Sequence, residues 1–165
     1  MTTWTEFLAS QGATFHEGLA TDFGDASGEL AAAESETVIA DLSQFGLIGF
    51  SGEDAQTFLH GQITNDLRGL TDKSAVFAGY LSAKGRMLAN FLVMKRGDEI
   101  LVMLPASLSE AIRKRLSMFI LRSKVKVRDA SPDWVRIGVS GPQASAALVA
   151  ALAQDLPMDA MGMAH

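Results

Sequence analysis

The sequence predicts an α+β domain with antiparallel or mixed sheets, packed helices and duplicated split β-α-β units. Residues 48–59 and 137–148 match at Ile, Gly, Ser, Gly, Ala and Leu in one register, so a strand, turn and helix occur twice. Apolar positions recur at helical spacing between Ser107 and Leu121. Short Gly-containing turns also separate three strand-like runs, which predicts consecutive antiparallel strands at 74–82, 87–96 and 100–104.

Composition limits the class of protein. A chain of 165 residues with 48% apolar residues is long enough for a self-sufficient core. No apolar run approaches the ~18 residues that span a bilayer, and the first residues lack a secretory signal, so we expect no membrane segment and a cytoplasmic location. The sequence has no cysteine and three scattered histidines, so no disulfide, cysteine nucleophile or metal site is predicted.

The charges are divided unevenly along the chain. Eleven acidic residues and no Lys or Arg precede Arg68, whereas no acid lies between Glu110 and Asp129. That second region holds a basic block of Arg113, Lys114, Arg115, Arg122, Lys124, Lys126 and Arg128. Its nearest aromatic residue, Phe119, is predicted to face the apolar side of a helix, so a small acidic ligand or an acidic protein fits better than nucleic acid.

The chain before Thr37 is predicted to be an arm, residues 1–36. It contains a helix near residues 5–13 and a weak helix around 29–33 in a segment rich in Gly, Ala and acids. The domain itself is predicted at 37–155 and opens with strand-like runs at 38–42 and 45–50. Residues 156–165 form a tail with no evident structure.

The first copy of the repeat continues into a helix with apolar positions Ala55, Phe58, Leu59 and Ile63. Ser51 is predicted to cap this helix, with Asp54 as a weak capping-box partner. The Ser51-Gly52 turn is interpreted as structure rather than a phosphate loop, because it has no lysine and no Walker spacing. The polar run 64–66 that follows is either a stop signal or the lip of a site.

The helices and strands after residue 106 are predicted from apolar spacing and from capping and turn residues. Ser107 and Glu110 predict a capping box for the helix at 107–121, and strict alternation predicts a strand at 124–128. A strand at 134–140 and a helix at 142–152 complete the second copy, with Pro142 at the first helical position. The second copy lacks both the polar run 64–66 and the hairpin behind it.

The hairpin at 80–90 carries the best candidate site. Lys84 and Arg86 lie at its tip, and Asn90 is a polar residue in an otherwise apolar strand. If Asn90 is buried, its amide needs partners, either a ligand or neighbouring backbone, and both alternatives stand. No Ser-His-Asp or paired-carboxylate pattern is evident, so no catalytic residue is predicted.

Four motifs resemble one known family. The segments 41–43 (Asp-Leu-Ser), 52–59, 62–66 (Gln-x-Thr-Asn-Asp) and 83–90 (Ala-Lys-Gly-Arg-Met-Leu-Ala-Asn) are similar to the amino-terminal folate-binding part of the YgfZ family. Those proteins are relatives of the glycine-cleavage T-protein, an aminomethyltransferase, and the resemblance spans roughly residues 7–152. It implies a T-protein-like folate-binding fold, tetrahydrofolate as cofactor, and a role in assembly or repair of iron–sulfur clusters, including those of tRNA-modification enzymes.

The resemblance and the hairpin together give a set of predicted folate contacts: Asn65, Asp66, Tyr80, Lys84, Arg86, Asn90 and Arg122. The resemblance also implies iron–sulfur client or assembly proteins as partners. We further expect no direct nucleic-acid binding and a monomeric state. The T-protein's pair of acids is replaced by Ala89 and Asn90, which leaves enzyme activity open. Aminomethyl transfer and protein docking through the acidic arm are the alternatives. Because the family's Cys-containing motif is missing, the chain is interpreted as truncated or divergent.

Overall fold

The computed structural model describes residues 3–157 and 159–164. Met1, Thr2, Met158 and His165, which fall in the predicted arm and tail, lie outside the described residues. The helices are α1 (Trp4–Ser10), α2 (Ala26–Ser35), α3 (Ala55–His60), α4 (Ala106–Ser117) and α5 (Ala144–Leu152). The strands are β1 (Thr14–His16), β2 (Leu19–Asp22), β3 (Val38–Asp41), β4 (Phe45–Ser51), β5 (Ala75–Leu81), β6 (Met87–Arg96), β7 (Glu99–Pro105), β8 (Lys126–Asp129) and β9 (Ile137–Ser140).

The chain divides into two units, and the predicted α+β class with antiparallel sheets is confirmed. The first unit joins the chain up to Gln44 with Val135–Leu156, and contains the hairpin β1-β2 and the antiparallel pair β3-β9. The second unit joins Phe45–Trp134 with the residues from Pro157 onward, and its five-stranded antiparallel sheet has the order β5-β6-β7-β4-β8. Within the described residues, no helix combines the length and apolarity needed to cross a bilayer.

The core of the second unit lies on one face of its sheet. Strand β4 is an apolar run between β7 and β8, so nearly all its residues are buried. Helix α4 packs on β4, and α3 packs on β7. The largest fully buried side chains, each contributing roughly 1.5–3 kcal/mol by leaving water, are Phe50, Phe91, Ile48, Leu59, Leu67, Leu104, Leu116, Val93 and Val102.

The opposite sheet face is covered only in part. A small cluster of Leu47, Leu101 and Ala130 packs there with Trp134, and the Arg96 guanidinium lies over the Trp134 ring at 4.5 Å from its centroid. This cluster involves the β4 and β7 side of the sheet. The same face of β5 and β6 remains open, and it holds the candidate site described below.

The two copies of the repeat have the same local structure. Gly52 follows β4 with φ +113°, and Gly141 follows β9 with φ +118°. Helices α3 and α5 then begin three residues later, at Ala55 and Ala144. The copies also exchange strands, because β3 precedes the first copy but pairs with β9, whereas β8 precedes the second copy but pairs with β4.

Each repeat glycine lies against the residue that leads into its partner strand. A Cβ atom on Gly52 would lie 2.1 Å from the Lys124 carbonyl oxygen, and one on Gly141 would lie 2.1 Å from that of Glu36. The Asp54 N–H also donates to the Lys124 carbonyl at 3.4 Å. These contacts agree with the interpretation of the Ser-Gly turns as structure.

The predicted helix caps are wrong. Ser51 is the last residue of β4, paired with Lys126, so it ends the strand instead of capping α3. Helix α4 begins at Ala106 without a side-chain cap, and the Glu110 carboxylate instead forms an ion pair with Lys114 at 2.6 Å. Pro142 precedes the first turn of α5, because Pro142 and Gln143 are used in the turn from Gly141.

The chain ends contain more structure than their sequences indicate. The predicted arm includes a β-hairpin as well as two helices, and α1 has a capping box between Thr3 and Glu6. In the predicted tail, the Met161 carbonyl accepts from the Ala75 N–H at 2.8 Å, and the Met163 N–H donates to Lys73 at 2.9 Å. The chain near Gly162 therefore pairs with the start of β5.

Candidate ligand site

The open face of β5 and β6 brings polar and apolar side chains together. Gly79 in β5 lies directly opposite Asn90 in β6, and Phe77 lies opposite Leu92 one pair further along the same face. Phe77 is 64% exposed and Met87 is also exposed, although both are large apolar residues. Exposed apolar side chains beside a polar one are typical of ligand sites.

Gly79 has no side chain to cover the β5 backbone on this face, so its neighbours cover that backbone instead. A Cβ atom at Gly79 would lie 3.2 Å from Met87 Cε and 3.2 Å from Thr64 Oγ1. Those two side chains therefore border and largely fill the narrow space above the buried Gly79 backbone, beside Asn90. We call this space the Gly79 recess.

Asn90 is exposed, so the condition under which its amide would need buried partners is not met. Its neighbours Ala89 and Phe91 point into the core, so Asn90 points to the opposite face. Within the described part of the chain, its amide forms no hydrogen bond. The Asn90 donors and acceptor are thus available on the same face as the Gly79 recess.

The polar run 64–66 covers the outer edge of β5. The Thr64 N–H donates to the Gly79 carbonyl at 2.9 Å, and the Gly79 N–H donates to Thr64 Oγ1 at 2.7 Å. Asn65 Nδ2 donates to the Phe77 carbonyl at 2.8 Å, and Asn65 Oδ1 accepts from the Asp66 N–H. Asn65 therefore lies at the edge of the site, with its amide engaged by backbone.

Asp66 is held by its own loop. The Arg68 guanidinium donates to both carboxylate oxygens, at 2.9 Å to Oδ1 and 2.5 Å to Oδ2. These charged hydrogen bonds, together with the Arg68 N–H, hold the pKa of the Asp66 carboxyl well below its usual range. Asp66 Oδ1 also lies 3.5 Å from His60 Nδ1, which accepts from the Leu67 N–H.

A cavity lined by His60 was not predicted from the sequence. His60 and Arg68 line a cavity of about 440 Å³ together with Glu53, Gln56 and Thr57. The Leu67–Leu70 turn is fastened to α3 by Gln56, whose Nε2 donates to the Leu67 carbonyl at 2.6 Å. The Asx-type spacing of Asp66 and Arg68 was the available signal, because an Asp commonly binds backbone N–H groups two residues on.

The Asp66 contacts predict a pH-dependent contribution to stability. Because the folded-state pKa is lowered, the contribution is present above the ordinary Asp pKa and is lost as pH falls through the folded value. We expect Asp66→Asn to lower the urea midpoint near pH 7, and the difference from wild type to shrink below about pH 4. Asp98→Asn, at an exposed turn without an ion pair in the described residues, is the control and should show no such pH trend.

The other predicted contacts lie in different surroundings. Tyr80 is buried and stacks on Phe91, with ring centroids 6.2 Å apart, so it belongs to the core. Lys84 and Arg86 are exposed at the hairpin tip, next to Met87, in a loop held by the Ser82 hydroxyl accepting from the Arg86 N–H at 3.1 Å.

Arg122 lies apart from the hairpin. It lines a cleft of about 1100 Å³, and none of the lining residues comes from the hairpin. The structure thus places Asn90, Thr64 and Met87 together, and brings neither Tyr80 nor Arg122 to them. Within the described ranges, no group of three or more His, Asp or Glu side chains could hold a metal ion.

The chain matches the family model described as the GCVT N-terminal domain over residues 5–165. It is 32% identical over 110 residues to the tRNA-modifying protein YgfZ of Colwellia psychrerythraea, a match covering 67% of this chain and 34% of that protein. It is 36% identical over 107 residues to the tRNA-modifying protein YgfZ of Klebsiella pneumoniae, covering 65% of this chain and 32% of that protein. The predicted resemblance to YgfZ is confirmed, and the chain spans about a third of the length of these relatives.

A solved structure has the same fold. The glycine cleavage system aminomethyltransferase T from Bartonella henselae superposes with a TM-score of 0.76 over 88% of this chain and 42% of that protein. The sequences are 20% identical, so this likeness concerns the fold alone. The predicted T-protein-like fold is confirmed.

Proposed function

The chain belongs to the GCVT N-terminal domain family, and on that premise we propose that it binds tetrahydrofolate or a related folate at the Gly79 recess. The observation that carries the proposal is the exposed Asn90 amide beside a backbone recess with no side chain. A flat ring needs close approach to backbone, and Gly79 carries no side chain of its own, so a ring reaches its backbone once the flexible Met87 side chain moves aside. The ring needs polar partners at its edge, and a carboxamide both donates and accepts.

The surroundings of the recess support the fit. Phe77 and Met87 offer apolar surface beside Asn90, as folate's ring requires. Lys84 and Arg86, exposed at the adjoining hairpin tip, suit the carboxylates of a glutamate tail. Tetrahydrofolate supplies the chemistry of one-carbon transfer when bound, and this chain's residues bind and orient it.

The proposed role is binding rather than transfer. An amide at Asn90 cannot take a proton from an amine as a carboxylate can, and Ala89 points into the core. The similar YgfZ proteins carry the name tRNA-modifying protein. We therefore place this chain, as part of our proposal, among cytoplasmic, monomeric folate-binding factors that maintain iron–sulfur enzymes of tRNA modification through contacts with client or assembly proteins.

Titration with tetrahydrofolate tests the proposal. We expect Asn90→Leu, which keeps the number and branching of the side-chain heavy atoms, to weaken binding about tenfold, since one or two polar contacts are lost. We expect Lys84→Gln with Arg86→Gln to weaken a polyglutamate form more than the monoglutamate, and to reduce the salt dependence of its affinity. Isothermal calorimetry measures both.

Lys73→Gln is the matched control, because Lys73 is exposed and outside the hairpin. It should change neither affinity nor salt dependence. Absence of binding at millimolar tetrahydrofolate would contradict folate recognition by this chain.

A further inference from the structure

The turn after α4 exposes large apolar side chains in a short stretch. Met118 is 65%, Phe119 45% and Leu121 88% exposed. The helix was expected to reach Leu121 with Phe119 on its apolar side, but α4 ends at Ser117, and the chain leaves the helix before these residues. A contiguous exposed apolar patch is typical of an interaction site.

Leu121 also has an unfavourable backbone. Its φ is +45°, in the left-handed region that a non-glycine residue such as leucine rarely adopts. Within the described residues its side chain gains almost no burial in return. Strain that places an apolar side chain in solvent points to a role outside the isolated chain.

A cleft of about 1100 Å³ adjoins this turn. Phe58, Ile120 and Leu121 supply its apolar lining, and Gln62 and Arg122 are among its polar residues. The acid at its border, Asp54, already accepts from the Lys124 N–H at 2.7 Å. The cleft therefore combines an apolar lining with the exposed cation of Arg122.

The charges around the cleft favour an acidic occupant. Three cations of the basic block are neutralised in ion pairs, Lys114 with Glu110, Lys124 with Glu53 and Arg128 with Glu99. Arg122, the member of the basic block that lines the cleft, has no ion pair in the part of the chain that the structure describes. An unpaired cation at an apolar cleft attracts a negatively charged partner.

We propose that this cleft, the Leu121 cleft, docks an acidic segment of a partner protein. An aliphatic or aromatic side chain of that segment packs against Leu121 and Phe119, and an acidic side chain meets Arg122. A protein fits better than single-stranded RNA, because stacking of successive bases needs several aromatic platforms and Phe119 is the one aromatic exposed in this turn. The site is separate from the Gly79 recess, so it does not depend on folate binding.

Fluorescence anisotropy with three short labelled peptides tests the proposal. The first is an amphipathic peptide of Glu, Ala and Leu, the second has Ser in place of Leu, and the third has Gln in place of Glu. We expect the first to bind most tightly and the other two to bind at least about tenfold more weakly. Arg122→Gln should weaken the first peptide and reduce the salt dependence of its binding.

Leu121→Asn separates docking from folding. Asn accepts the left-handed region more readily than Leu, so the urea midpoint should stay unchanged or rise while peptide affinity falls about tenfold. Leu30→Asn makes the same change at a leucine 67% exposed on α2 and should leave peptide affinity unchanged. Neither variant should alter the tetrahydrofolate titration.

Three results would overturn the proposal. The first is no binding of the acidic Leu-containing peptide at millimolar concentration. The second is tighter binding of a short single-stranded RNA, lost in Phe119→Ser, which would assign the cleft to nucleic acid. The third is self-association by light scattering that Leu121→Asn abolishes, which would assign the patch to a second copy of this chain.

Discussion

Replacing Gly52 with alanine is expected to destabilise the second unit by about 3 kcal/mol or more. At φ +113°, an alanine adopts a conformation that L residues rarely populate, which alone costs about 1–3 kcal/mol. Its Cβ would also lie 2.1 Å from the Lys124 carbonyl oxygen and 3.0 Å from the carbonyl carbon. Because that clash is with backbone, relief requires β4 and the chain entering β8 to separate. Urea unfolding followed by circular dichroism measures the loss.

Two other glycines distinguish the clash from the backbone strain. Gly97 has φ +56° but an added Cβ would meet nothing within 4 Å, so Gly97→Ala should cost only about 1–2 kcal/mol. In the second copy of the repeat, a Cβ on Gly141 would clash with the Glu36 carbonyl oxygen at 2.1 Å and with Thr37 Cα at 2.6 Å, so Gly141→Ala should cost at least as much as Gly52→Ala. Equal costs for Gly52→Ala and Gly97→Ala would contradict the close approach of Gly52 to Lys124.

Local patterns were sufficient to predict the elements of the second unit. The three consecutive antiparallel strands β5, β6 and β7 are predicted by apolar runs separated by turns that contain Gly85 and Gly97. Both glycines have positive φ in the structure. The repeat follows from the constant spacing of its two Ser-Gly turns. These features depend on residues that are close in sequence, and sequence patterns report such short-range preferences well.

The pairing of strands that are far apart in the chain could not be predicted from the sequence. The exchange of β3 and β8 between the repeats depends on contacts between residues far apart, such as Ile48 with Asp129 and Ile39 with Val139. The predicted cap at Ser51 is wrong for the same reason. Ser51 pairs with a residue of β8, and its local sequence does not reveal this pairing. The register of the pairing, not the composition of each strand, decides these positions.

The orientation of Asn90 shows why the candidate site was only half predicted. Strand β6 alternates between core-facing Ala89 and Phe91 and the open-face residues Asn90 and Leu92. The open face is itself partly apolar, so the sequence of β6 resembles that of a strand buried on both faces. The alternation between core-facing and open-face residues is therefore not evident from the sequence. The recess could not be predicted, since Gly79 comes to face Asn90 only through the register of β5 with β6.

Filling the Gly79 recess is expected to abolish folate binding while the fold survives. In Gly79→Val the new side chain occupies the space bordered by Met87 and Thr64, so a ring can no longer approach the β5 backbone beside Asn90. We expect tetrahydrofolate affinity to fall about a hundredfold, which corresponds to roughly 2.7 kcal/mol. Calorimetric titration of the variant against wild type measures the loss.

The fold should survive in this variant, since valine suits a strand and the nearest atom from Met87 is the tip of a flexible side chain. We expect a cost of about 1–3 kcal/mol, because valine must displace Thr64, whose Oγ1 accepts from the buried Gly79 N–H. Gly69→Val is the control, because a Cβ there meets nothing within 4 Å and the residue lies outside the site. If Gly79→Val folds like wild type and still binds tetrahydrofolate with wild-type affinity, the folate site must lie elsewhere in the chain.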